Sequence, residues 1–203
     1  MDSNVSRTSI ALKIFIVIFL FGIIFYASKF LNKESTLIEK TQPLKVVSNL
    51  EFTLQDLNGI ENSFSNWHGK HRIVNFWATW CAPCRREIPL LKSFQKEFGN
   101  KNGYQVIGVA VDFLEPVKDY AKDIEFNYPI LIGEKDAIEV AELSGLEFIG
   151  LPFTMFVTSD GQLLSSFIGE IHQSHLDAFT KATALLDRNE LSISEARSIL
   201  NKL

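Results

Sequence analysis

Cys81 and Cys84 are the only cysteines in the chain, and Ala82 and Pro83 separate them. Two thiols at this spacing can share a zinc ion with ligands elsewhere, close a small structural loop, or cycle between dithiol and disulfide. A tetrahedral zinc site needs two more ligands, and the four histidines, His68, His71, His172 and His175, do not supply a second paired half. His172 and His175 lie three apart, a spacing ligands can use, but they read as solvent-facing residues in the first turn of a late helix. No metal and no cofactor are expected. A structural bridge between near neighbours closes a tiny loop and removes little entropy from the unfolded chain. A redox-active dithiol is the reading that remains.

Such a dithiol needs an accessible thiolate, and the flanking elements supply its setting. Residues 71–78 form an apolar, strand-like run in which Ile73, Val74, Phe76 and Trp77 are apolar on both faces, as in the central strand of a covered sheet. Residues 84–98 read as a helix, with Ile88, Leu91, Phe94 and Phe98 forming a 3.6-residue stripe and Pro89 expected to kink it. Cys81 therefore falls at a helix N-terminus. There, free backbone N–H groups and the positive end of the helix dipole stabilise a negative sulfur.

The remaining pattern supplies the frame. Residues 51–54 and 60–64 flank Asn58-Gly59 as an N-terminal β-hairpin. A buried strand at 104–111 ends at Asp112, followed by a helix at 117–124, a short strand at 129–132 and a helix at 136–143 with Gly145 beyond its end. Strands at 153–158 and 163–168 flank Ser159-Asp160-Gly161. Helices at 174–187 and 191–203 close the chain. The order predicts an α/β fold, a mixed central sheet flanked by helices on both faces. The last helix either packs on the core or serves for docking.

The composition suits one globular domain, with 46% hydrophobic residues and seventeen phenylalanines among 203 residues. A net charge of −4 without a basic run excludes nucleic acid as an expected partner. Residues 14–27 contain neither charge nor proline, and Lys13 and Lys29 bracket them. Residues 1–31 thus read as a signal anchor, a single transmembrane helix; a cleaved signal peptide is the alternative, but no small-x-small pair follows the run. Residues 32–48 read as a linker, 49–186 as the globular domain and 187–203 as a helical extension. The flanking positive charges nearly balance. With the N-terminus inside, residues 32–203 face an oxidising space beyond the cytoplasmic membrane, the periplasm or cell exterior, where Cys-x-x-Cys chemistry has substrates.

The string Val74-Asn75-Phe76-Trp77-Ala78-Thr79-Trp80-Cys81-Ala82-Pro83-Cys84-Arg85-Arg86-Glu87-Ile88-Pro89 closely resembles the thioredoxin superfamily. Within it, the match is to the membrane-anchored TlpA/ResA-like thiol-disulfide oxidoreductases. Gly150-Leu151-Pro152-Phe153-Thr154 resembles the family's loop with a cis-proline opposite the active site, and the likeness runs over roughly residues 45–186.

The resemblance implies a thioredoxin-like fold and a set of roles. Cys81 would be an exposed nucleophile of lowered pKa, and Cys84, more buried, would resolve the mixed disulfide. Pro152, if cis, would bring backbone beside Cys81 and offer a client strand-like pairing. Trp80, Ala82, Pro83 and Leu151 would form the docking surface. Pro83 also removes a donor that could stabilise the thiolate. Glu87, on the face of Cys84, would raise thiol pKa values or accept a proton as Cys84 attacks; otherwise it is a solvated charge paired with Arg85 or Arg86. Thioredoxins themselves commonly carry an aspartate where Asn75 stands, and an amide cannot take that proton. Asn75 is expected to be a hydrogen-bonded core residue.

The family further implies reduction of client disulfides, those of apocytochrome c or copper-site proteins, with electrons from a transmembrane dithiol carrier of the DsbD/CcdA kind. Three rivals stand beside this. A peroxiredoxin would need Pro-x-x-x-Thr-x-x-Cys, whose spacing the chain lacks. A disulfide-forming oxidase would use the same cysteines at a higher potential. A Cu(I)-binding or docking module would use both sulfurs as soft ligands.

Overall fold

The computed structural model describes residues 19, 20, 22, 25, 26, 50–99 and 103–202. The chain divides into two units, Met1–Lys45 and Val46–Leu203. The expected anchor and linker lie, but for five residues, outside the described ones; among the described residues no helix is long and apolar enough to cross a membrane.

In the second unit, β1 (Thr53–Asp56) and β2 (Glu61–Ser63) form an antiparallel hairpin. Asp56 shapes its turn, accepting hydrogen bonds at Oδ1 from the Asn58 and Ile60 amides at 2.8 and 3.0 Å. A 3-10 turn, Phe64–Trp67, follows; the sequence pattern does not announce it, and Ser63 caps it by accepting from the Ser65 amide. Then come β3 (His71–Trp77), α1 (Ala82–Phe98), β4 (Tyr104–Val111), α2 (Leu114–Ile124), β5 (Ile130–Gly133), α3 (Lys135–Glu142), β6 (Phe153–Val157), β7 (Leu163–Ile168), α4 (Gln173–Asp187) and α5 (Ile193–Leu200).

The strands form one mixed sheet in the order β2-β1-β5-β4-β3-β6-β7. β3, β4 and β5 are parallel, and β6 runs antiparallel to β3. All seven β3 residues are buried, and alternation sends them to opposite faces. Ile73 and Trp77 join Cys84, Ile88, Leu91 and Phe94 of α1 and Leu176 and Phe179 of α4. Val74 and Phe76 join Ile107, Phe153, Met155 and, from α3, Ala137 and Val140. Helices thus cover both faces, as the continuous apolar runs demand.

The differences from expectation have local causes. α1 starts at Ala82 because Cys81 caps it, and it continues through Pro89 to Phe98. α2 starts three residues earlier than its apolar pattern, since Pro116 sits in a first turn, where no amide donor is needed. α5 is packed down: Ala196 and Leu200 are buried in the core, Ser192 caps its start, and Arg197 donates to the Leu163 carbonyl of edge strand β7 at 2.9 and 3.0 Å.

Gly108 of β4 faces Trp77. A Cβ there would stand 2.7 Å from Ile130 Cδ1, 3.2 Å from Trp77 Nε1 and 3.3 Å from Tyr128. Gly108→Ala should therefore cost about 1–3 kcal/mol by overpacking, read as a lower denaturation midpoint at unchanged slope; an unchanged midpoint would refute this close fit.

Candidate active site

The cysteines lie where β3 gives way to α1. The connecting loop is tied down by Asp112 at the end of β4, whose Oδ2 accepts from the Thr79 amide at 2.8 Å and the Thr79 hydroxyl at 2.6 Å. Cys81 is the N-cap of α1, and its Sγ accepts from the Cys84 amide at 3.3 Å. Pro83 sits in the first turn, where its missing N–H leaves no bond unmade. Cys81 and Cys84 are joined as a disulfide with 5.3 Å between their Cα atoms. The expectation of an exposed Cys81 needs correction in this bonded state: it is 5% exposed, against 0% for Cys84. The order of accessibility holds, but the loop and α1 enclose both.

Glu87 follows Cys84 by three residues, on the same face of α1. It is not a solvated charge: it is 1% exposed. Oε1 accepts from Asn75 Nδ2 at 2.8 Å, and Oε2 accepts from the Ile171 amide at 2.8 Å. Both bonds favour the ionised form, yet burial outweighs them and pushes the carboxyl up to about 7; the nearby Glu170 charge adds to this. Asn75, fully buried, also donates to Thr154 Oγ1 at 3.0 Å, while its Oδ1 has no hydrogen-bond partner. It is the bonded core residue expected, and it bonds to Glu87 itself.

The Leu151–Pro152 peptide is cis. Phe153 pairs with Phe76, so the loop ending at Pro152 lies beside the end of β3 that leads to Cys81. Leu151 is half-buried against the cluster that holds both cysteines, Pro152 is buried, and Ala82 is exposed. Trp80 is 70% exposed. It lines a groove of about 350 Å³ with Val111, Phe113, Ile138 and the charged Asp112, Glu134 and Lys135. Trp77, by contrast, is a core residue.

Two polar readings are revised. Arg86 turns away from Glu87 to Glu170, at 2.5 Å between Nη2 and Oε2. His175 is buried rather than solvent-facing: its Nδ1 accepts from the His172 amide at 3.0 Å, and its ring packs 4.4 Å from that of Phe167. Burial also lowers its pKa. Among the described residues no three His, Cys, Asp or Glu side chains are grouped to hold a metal ion. Sequence reasoning missed Asp112 and the Ile171 amide. An aspartate directly after a buried strand was a signal for the first. Nothing local marks the second.

A Cys-x-x-Cys disulfide capping the first helix after the central strand, with a cis-proline loop alongside, defines a thioredoxin-like thiol-disulfide oxidoreductase. The chain belongs to the AhpC/TSA family, whose model matches residues 48–166. It is similar to the thiol-disulfide oxidoreductase ResA of Geobacillus kaustophilus, at 28% identity over 176 residues, 85% of this chain and 91% of that one. The thioredoxin-like protein YneN of Bacillus subtilis is 37% identical over 91 residues, 42% of this chain and 51% of that protein. Among solved structures, a thioredoxin-family thiol:disulfide interchange protein from Chlorobium tepidum superposes with a TM-score of 0.61 at 27% identity, over 68% of this chain and 97% of its own. A secreted thiol-disulfide isomerase from Corynebacterium glutamicum, 23% identical, shares the fold with a TM-score of 0.60 over 68% of this chain and 85% of its own.

Proposed function

We propose that this protein is a membrane-tethered, extracytoplasmic reductase of protein disulfides. In the reduced protein the Cys81 thiolate attacks a client disulfide, forming a mixed disulfide and releasing one client thiolate. Cys84 then gives up its proton and attacks Cys81 Sγ. The client leaves as a dithiol, and the protein is left with the Cys81–Cys84 disulfide. Glu87 takes the Cys84 proton. A transmembrane dithiol carrier of the DsbD/CcdA kind restores the dithiol, and the clients are apocytochrome c or copper-site proteins. The anchor is the apolar run at 14–27; with the N-terminus inside, the domain lies in the periplasm or cell exterior, and tethering raises the effective concentration of membrane-bound partners.

The observation that carries the reductive direction is the buried Glu87 carboxyl one helical turn from Cys84. A carboxylate there repels a thiolate, which destabilises the reduced pair and favours giving electrons away. Trp80, exposed at the edge of its groove, together with Ala82, Pro83 and Leu151, offers the client an apolar landing beside Cys81.

The test is the reduction potential of the Cys81–Cys84 pair in dithiothreitol buffers. A value near or below about −270 mV is expected of a reductant. A value near about −120 mV would reverse the direction and make the chain a disulfide-forming oxidase. Tight Cu(I) binding without electron exchange would replace both by a copper-binding module.

A further inference from the structure

Three consecutive residues after β7 reach the cis-proline loop, the surface of α1 and the buried carboxyl. The Gly169 amide donates to the Pro152 carbonyl at 2.8 Å. Glu170 receives Arg86 of α1, with Nε at 3.0 Å and Nη2 at 2.5 Å from Oε2. The Ile171 amide donates to Glu87 Oε2 at 2.8 Å, and the Ile171 side chain is buried in the cluster that contains both cysteines. Gly169 has φ +122°, a conformation that favours glycine, and this turns the chain from the sheet edge onto α1. The segment is a strap laid across α1. One end is bonded to the cis-proline loop, its middle is clamped by an ion pair, and its far end holds the buried carboxyl.

We infer that Arg86 and Glu170 are positioning residues for the redox reaction: their ion pair holds the Ile171 amide on Glu87 and so controls where that carboxyl keeps or releases its proton. The inference rests on the proton-accepting role proposed for Glu87. The pair is open to solvent on the Arg86 side, so it adds little to global stability. Its consequence is geometric. Without the clamp the Ile171 amide is held only by its buried side chain and the Gly169 bond to Pro152, and its hydrogen bond to the carboxylate loosens. Without Arg86 the Glu170 charge is also bare, and it already opposes ionisation of Glu87. Both effects raise the proton affinity. The other groups facing Glu87 stay constant: Cys84 on the same face of α1, Asn75 on β3, and buried Tyr128 before β5, whose ionisation the Glu87 charge opposes. His172, next to Ile171, interacts with Glu170.

Glu170→Gln separates the two effects. A glutamine oxygen still receives Arg86, so the strap stays in place, while the repelling charge is gone. The two variants should therefore move the titration in opposite directions, which a general loosening of the fold would not do.

The experiment is the pH profile of a single turnover, with the full reduced chain and an oxidised Cys-x-x-Cys peptide as probe. Arg86→Ala should raise the midpoint assigned to Glu87 by roughly one pH unit, and Arg86→Lys should bring it back toward the native value. Glu170→Gln should lower it. Amide exchange at Ile171 should speed up in Arg86→Ala alone. Glu87→Gln is the control that separates the two ideas. A midpoint that persists in it overturns the proton-accepting role of Glu87 and this inference together. A midpoint that vanishes in Glu87→Gln but stays put, or falls, in Arg86→Ala overturns the strap alone.

Discussion

At pH 8 the disulfide-bonded chain carrying Glu87→Gln should be about 3 kcal/mol more stable than the native chain, and near pH 4 that advantage should be gone. The cause is the buried carboxyl, pushed up to about 7 from an ordinary value of 4.5. The native state binds this proton more tightly than the unfolded chain does. Its contribution to stability is therefore fully present below about pH 4.5 and is lost as pH rises through 7. A glutamine has no proton to lose. It also fits: its Oε1 can accept from the Ile171 amide, and its Nε2 would face Asn75. With the Asn75 amide turned end for end, the now unpartnered Oδ1 receives it, the Thr154 hydroxyl that accepted from Nδ2 turns to donate to the same Oδ1, and Nδ2 replaces Oδ1 as the one unpartnered atom. Urea unfolding of both proteins from pH 4 to pH 8 reads the difference. Parallel stability curves would mean that the folded chain binds the Glu87 proton no more tightly than the unfolded one, and a carboxyl tuned to receive the Cys84 proton would fall with that result.

That carboxyl also marks the limit of what the sequence makes legible. β3 and β4 could be read almost residue by residue, because strands buried on both faces need unbroken apolar runs. The hairpin turns announced themselves through Asn58-Gly59 and Asp160-Gly161, and the capping position of Cys81 followed from a strand running into a helix. The surroundings of Glu87 did not follow. Its neighbours in sequence are Arg85 and Arg86, so an ion pair on the helix surface was the natural alternative. Helix geometry instead turns Glu87 inward with Cys84 and Arg86 outward to Glu170. One of its two hydrogen bonds comes from a backbone amide 84 positions later, and no side-chain pattern encodes a backbone donor. His175 misled for a similar reason. A polar residue in a first helical turn usually meets water, but this ring folds back onto the amide of His172 and against Phe167.

Replacing either cysteine should abolish turnover, and the two losses should look different. In Cys84→Ser the first attack remains possible and the second does not, so Cys81 should accumulate in a mixed disulfide with the client. In Cys81→Ser no adduct should form. The asymmetry comes from position on α1. Cys81 caps the helix, where its sulfur accepts the Cys84 amide and sits at the positive end of the dipole, both of which stabilise negative charge on it. Cys84 lies inside the first turn, completely buried, beside a carboxyl that repels negative charge. It can be reached by the sulfur three residues away but not by a client disulfide. Incubating each reduced variant with an oxidised Cys-x-x-Cys peptide, then running non-reducing gels and mass spectrometry, gives a direct reading. An adduct on Cys84 in Cys81→Ser, with none on Cys81 in Cys84→Ser, would exchange the two roles. It would also require α1 to open at its first turn before any client could be reduced, because nothing larger than a neighbouring side chain reaches Cys84 in the folded, bonded state.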